Sequence, residues 1–204
     1  MKLYYSPGAC SLAVHIVARE AGIAIDLVKV DLLKHQLDDG SDYFAINARG
    51  YVPLLELDDG SRHSEAGALL QYLGDLSANA ALLPKAGTPE RFEVVKWVTF
   101  VGTELHKTFS PWLWHKETAD STVKSVKDKL AARFSELDKL LATRAYLTGE
   151  HFTIADAYAF AIVNWTNFLG ISLKAYPSLA AYLERVAARP KVREALVAEG
   201  LVKA

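Results

Sequence analysis

The chain opens in the order strand, helix, strand, and that order limits what the rest can build. "KLYY" (residues 2–5) is a short β-prone run. "LAVHIVAREAG" (12–22) continues as a helix that Gly22 closes just past its last turn, where a left-handed residue is favoured. "IAIDLVKVDL" (23–32) then alternates apolar and polar side chains as a half-buried strand does. Two strands joined through a helix form a βαβ unit, so the pair is expected to be parallel.

Downstream, "LKHQLDDGSDYFAINARGY" (33–51) is a polar link without a clear period, and "VPLLELDDGSRH" (52–63) reads as a hairpin turning at "DDGS". "SEAGALLQYLGDL" (64–76) is a helix with Ser64 as its expected N-cap. Residues 1–80 therefore form a mixed-sheet α/β domain, βαβ followed by ββα. Small residues, Pro and Gly mark a linker at 81–87, and from 88 to 204 only helices are expected. One begins at Thr88-Pro89-Glu90, with Thr as cap and Pro in the first turn. Another covers 119–143, a third opens at "TIAD" (153–156) with capping-box spacing, and two shorter ones span 177–188 and 191–198.

Composition narrows the function. Residues 1–80 carry 6 Lys/Arg against 11 Asp/Glu, and residues 81–204 carry 17 against 13, so the halves differ in charge although the chain as a whole is near neutral. The basic half has no concentrated Lys/Arg patch with interleaved aromatics, which argues against nucleic-acid binding. No window approaches the apolar length of a membrane span, and the N-terminus breaks at Ser6-Pro7-Gly8 before a signal sequence could form. With one cysteine there is no intrachain disulfide and no dithiol redox pair, and a soluble protein of a reduced, cytoplasmic compartment is the natural reading. The six histidines lack metal-ligand spacing, so no metal is expected.

Four places could carry chemistry. Cys10 follows a strand and a Pro7-Gly8 turn at the start of a helix, where the helix end favours a thiolate; a small buried hydrophobe is the plainer alternative. Pro53 stands at a strand beginning, as an ordinary trans proline or as a cis one that presents the Val52 backbone to an extended ligand. Glu65 lies in the first turn of its helix, either complementing the helix dipole or clamping the charged end of a ligand with the Ala66 amide. In "VVKWVTFVGTELHKTF", helical spacing puts Val94, Val98, Val101 and Leu105 on one side. Thr99, Gly102, Thr103 and His106 form a separate stripe, with His106 either structural or functional.

Taken together, "MKLYYSPGACSLAVHIVAREAG", "DYFAINARGYVPLLELDDGSRHSEAGALLQYLGDL", "TELHKTFSPW" and "GEHFTIADAYAF" resemble the cytosolic glutathione transferases, and most closely the cysteine-containing bacterial beta class. The resemblance implies a thioredoxin-like α/β domain for glutathione and an all-α bundle for a hydrophobic electrophile. It implies glutathione as co-substrate, and a homodimer. By resemblance, Cys10 and His106 stand at the glutathione sulfur, Val52 and a cis-Pro53 pair with the cysteinyl part, and Glu65 with Ala66 holds the γ-glutamyl end. Ala9, Tyr51, Thr99, Thr103 and Glu104 line the same region, some of them across a dimer interface. His35 stands where the class commonly has lysine, and Ala66 where the wider superfamily often has serine. The activity implied is conjugation. The alternatives are glutathione-dependent thiol–disulfide exchange or peroxide reduction through Cys10, or ligand binding without catalysis.

Overall fold

The computed structural model describes residues 1–203 and divides into two compact units. The first holds Met1–Leu83 together with the segment from Ala188 on; the second is Pro84–Ala187.

In the first unit, β1 (Lys2–Tyr5), α1 (Ser11–Glu20), β2 (Asp26–Asp31), β3 (Gln36–Leu37), β4 (Leu54–Glu56), β5 (Arg62–His63) and α2 (Ala66–Leu76) follow in order. The sheet runs β3-β2-β1-β4-β5. β1 pairs with β2 in parallel, as the βαβ reading requires, and with β4 in antiparallel register, Tyr4 opposite Leu54. β4 and β5 form the expected hairpin. α1 is buried from Ser11 to Ala18, with Leu12, Val14, Ile16 and Val17 wholly enclosed. Each such side chain contributes roughly 1.5–3 kcal/mol by leaving water. The Ile23 N–H bonds back to Ala18 O and the Gly22 N–H to Arg19 O, closing the helix with Gly22 at φ +70°.

Three features depart from the sequence reading. The polar link contains β3 and a 3₁₀ turn at Tyr43–Ala45, both too short to leave a periodic signal. α2 begins at Ala66 with Glu65 in the cap position, so Ser64 is not the N-cap. The C-terminal helix (Pro190–Ala198) packs on α1 and belongs to the first unit, not to a helical domain running to residue 204. Val192, Ala195 and Leu196 are its buried face, and Arg189 clamps the half-buried Glu20 with two bonds of 2.7 and 2.9 Å.

The second unit is helical: α3 (Pro89–Phe100), a π-helical segment (Val101–His106), α4 (Lys107–Phe109), α5 (Asp120–Leu141), α6 (Ile154–Val163), α7 (Trp165–Phe168) and α8 (Pro177–Ala187). Thr88 caps α3 through the Arg91 N–H, with Pro89 in its first turn. α6 is buried along its whole length, which demands that its first turn be satisfied internally. Asp156 does this: it accepts from Thr153 N (2.8 Å) and Thr153 Oγ1 (2.9 Å), from Leu147 N (2.9 Å), and from the Tyr182 hydroxyl on α8 (3.0 Å).

Asp156→Asn keeps the shape but puts an NH₂ where a carboxylate oxygen accepts. Loss of about 3 kcal/mol or more is expected, read as a lower urea midpoint with unchanged slope.

Candidate active site

The first unit brings Cys10, Ala9, Val52 and Pro53 to one end of the sheet. β1 ends at Tyr5 and antiparallel β4 begins at Leu54, so the loop leaving β1 and the loop entering β4 share that end. Cys10 is the cap residue of α1, and its thiol donates to the Val52 carbonyl at 3.3 Å. It is 8% exposed. The Val52–Pro53 peptide is cis. Val52 is buried against Tyr4, Tyr43 and Leu54, with Ala9 packed on the same cluster, and its own N–H has no hydrogen-bond partner among the described residues.

Two side chains absent from the sequence reading fix this strand entry. The Tyr43 hydroxyl and the Asn47 amide both donate to the Tyr51 carbonyl, at 2.8 and 2.7 Å. Tyr43 is fully buried and burial pushes its phenol up to about 12, so the hydroxyl remains a donor at every physiological pH. The Tyr51 side chain itself is 68% exposed.

Glu65 has φ +72° and ψ +101°, a conformation that non-glycine residues rarely adopt. Such a backbone persists only where its surroundings over-determine it, and it concentrates at ligand-binding positions. The conformation leaves the Ala66 and Gly67 amides as first-turn donors, while Ala68 and Leu69 bond back to Glu65 O. The Glu65 carboxylate is exposed and meets Arg49 at 3.3 Å. His35 also has a left-handed backbone, φ +52°, and its ring stacks on Phe44 with centroids 4.4 Å apart. Its Nδ1 is buried over Gly50 without a partner among the described residues. The neighbouring Lys34 lies 3.9 Å from Asp31.

In the second unit, the π-helical segment carries Glu104 and His106; its wider turn, seen in the Lys107 N–H bond to Gly102 O, departs from the 3.6-residue spacing used to read the sequence. Val101 and Leu105 are nonetheless fully buried. His106 Nδ1 meets the Tyr158 hydroxyl at 2.7 Å, and the imidazole packs edge-on to Tyr158 and Trp165. Burial, with the Lys107 charge second, pushes His106 from 6.5 down to about 4. The imidazole is therefore neutral at pH 7 and a weak base, fitted to donate or orient. Thr99 and Thr103 are exposed, their hydroxyls donating to Val95 O and Thr99 O within the helix. Glu104 is held by Arg133 (2.8 Å) and Lys129 (3.4 Å) on α5, and the Arg133 bonds pull its carboxyl below the usual range. No three His, Cys, Asp or Glu side chains gather around a metal-sized space among the described residues.

A Cβ at Gly50 would lie 2.7 Å from a Phe44 ring carbon and 2.8 Å from His35 Nδ1, whereas one at Gly60 would meet nothing. Both glycines have positive φ, so Gly50→Ala should cost more than Gly60→Ala, which pays only the left-handed backbone cost of about 1–2 kcal/mol. Urea denaturation of the pair checks this. For His106, the unfolded imidazole binds its proton near 6.5 and the folded one near 4. Between those values the unfolded chain holds more protons, so stability falls as pH falls, by up to about 3 kcal/mol. A smaller pH slope in His106→Gln is expected; equal slopes would contradict a buried neutral imidazole.

Comparison with known proteins agrees with this fold. Residues 8–76 match the family model "Glutathione S-transferase, N-terminal domain", and residues 100–190 match "Glutathione S-transferase, C-terminal domain". The chain is 41% identical to glutathione S-transferase GstA of Escherichia coli O157:H7 over 201 residues, 98% of this chain and all of that one. A sphingomonad glutathione S-transferase solved in complex with glutathione superposes with a TM-score of 0.92 at 40% identity, covering 99% of this chain and 100% of that one. The beta-class enzyme of Sphingomonas chungbukensis does so with a TM-score of 0.92 at 42% identity and the same coverage. With both halves matched and the full length aligned, the chain belongs to the glutathione S-transferase family, beside its bacterial beta class.

Proposed function

We propose that the chain conjugates the thiol of glutathione to small hydrophobic electrophiles. The observation that carries this reading is the Val52 N–H, without a hydrogen-bond partner among the described residues, in the residue whose carbonyl takes the Cys10 thiol. An extended peptide laid alongside Tyr51–Pro53 would satisfy that donor with a main-chain carbonyl. Glutathione is a short peptide with a thiol on its middle residue and a carboxylate at either end. Its γ-glutamyl carboxylate suits the Ala66 and Gly67 amides, and its ammonium suits Glu65, whose exposed pair with Arg49 costs little to displace. Tyr51 and His35 are assigned to the glycyl end.

The attacking species is the glutathione thiolate, which the start of α1 favours beside Cys10. By family likeness, His106 takes part as a neutral group that donates to or orients the sulfur, with Thr99, Thr103 and Glu104 in the same region. Homodimerisation and a role in detoxification in the cytoplasm belong to the same reading. The resident thiol of Cys10 supports thiol–disulfide exchange with glutathione as a second activity.

Retention on immobilised glutathione and turnover of a chromogenic chloronitrobenzene are expected; failure of both would leave a non-catalytic binder. Glu65→Gln should raise the glutathione KM about tenfold with a smaller change in kcat, because it weakens a charged contact made before the reaction. Cys10→Ala separates the two activities: conjugation should survive while reduction of glutathione mixed disulfides is lost.

A further inference from the structure

The first unit holds a buried polar chain that the reading above does not use. Glu199, whose side chain is 0% exposed, ends the C-terminal helix. One oxygen accepts from the Gly8 N–H at 3.0 Å and the other meets His15 Nδ1 at 3.0 Å. Arg19 Nε donates to His15 Nε2 at 3.2 Å. Arginine only donates, so Nε2 is the accepting nitrogen and the proton sits on Nδ1, which donates to Glu199. Both carboxylate oxygens are thus acceptors, each for a buried donor more than 180 residues away in sequence.

The position of Glu199 is itself built. The helix ends in a left-handed Gly200 (φ +72°), with Gly200 N bonded to Val197 O and Leu201 N to Leu196 O. Gly8, also left-handed at φ +71°, lies two residues before Cys10 in the turn that Ala9 N closes on Ser6 O. Ser11 braces the other side, its hydroxyl meeting both Ser6 N and Ser6 O at 3.3 Å. The turn that delivers Cys10 is therefore held from within by Ser11 and from the far end of the chain by Glu199.

We infer that Glu199 is a positioning residue for the Cys10 turn, acting through the Gly8 amide and oriented by His15 and Arg19. The inference rests on the transferase reading for its catalytic consequence, though not for its effect on Cys10. A carboxylate is required because glutamine supplies one acceptor and one donor, so the NH₂ must face either the Gly8 N–H or the His15 N–H. The turn would then loosen, and with it the Cys10 bond to the Val52 carbonyl. The strand entry held by Tyr43 and Asn47, and Glu65 with Ala66, where the rest of the tripeptide is assigned, keep their own supports.

Glu199→Gln tests this, with folding monitored by circular dichroism. A kcat lower by about tenfold with the glutathione KM within about twofold is expected, since losing a charged hydrogen bond loosens the start of α1, which favours the glutathione thiolate with or without the Cys10 side chain. Cys10, now in a loosened turn, should be alkylated by iodoacetamide about fivefold faster. A folded variant with unchanged kcat, or with only a raised KM, would overturn the inference, as would an unchanged or slower alkylation rate. If Glu199→Gln does not fold, Arg19→Met leaves the carboxylate in place and frees His15; kcat should fall about threefold at constant KM, and an unchanged kcat overturns the inference. If the wild-type protein turns over no electrophile, the transferase reading fails by itself, and the alkylation rate alone decides the role of Glu199.

Discussion

The antiparallel pairing of β4 with β1 is the constraint from which the candidate site follows. With Tyr4 opposite Leu54, the chain leaves β1 and enters β4 at the same end of the sheet. Two segments some forty residues apart are thereby brought within hydrogen-bond distance, and the Cys10 thiol reaches the Val52 carbonyl. Everything else in that region secures one or the other segment. Tyr43 and Asn47 hold the Tyr51 carbonyl, while Ser11 and Glu199 hold the turn before Cys10. The donors that stay unpaired among the described residues, at Val52 and at the first turn of α2, are backbone amides on fixed supports. A peptide can be recognised through such groups with little reorganisation on binding.

The second unit applies the same economy to a single side chain. His106 lies among Tyr158 and Trp165, and its burial keeps the imidazole neutral. The π-helical turn alters the spacing of Thr103, Glu104 and His106 relative to α3 without exposing Val101 or Leu105. Glu104 is committed to Arg133 and Lys129, which ties that turn to α5. A histidine held this way is limited to hydrogen bonding at neutral pH.

What was legible in the sequence was local. The βαβ order, the hairpin at Asp58–Ser61, the Thr88 cap and the Thr153–Asp156 box each depend on residues a few positions apart, so composition and spacing reveal them. Pro53 and Cys10 stood out as residue types in unusual places. Glu199 did not, because its partners lie at the other end of the chain and a glutamate at a helix end gives no signal of burial. The C-terminal helix was visible as a helix, but its packing on α1 was not, since amphipathicity names a buried face and not the surface that covers it. The π-helical turn escaped for a related reason: a wheel drawn at 3.6 residues assumes the spacing it is meant to test. Arg49 and Tyr43 lay in the link that had no period, where only tertiary contacts give the residues meaning.

The central claim is that a peptide's main chain docks on Val52 beside Cys10. The direct measurement is the amide resonance of Val52 in ¹⁵N-labelled protein, followed as glutathione is added to saturation, together with its hydrogen-exchange rate. The account predicts a large shift and strong protection at Val52 in the complex, with smaller changes at Ala66 and Gly67. Saturation by glutathione with the Val52 amide unmoved and still exchanging at its original rate would contradict it.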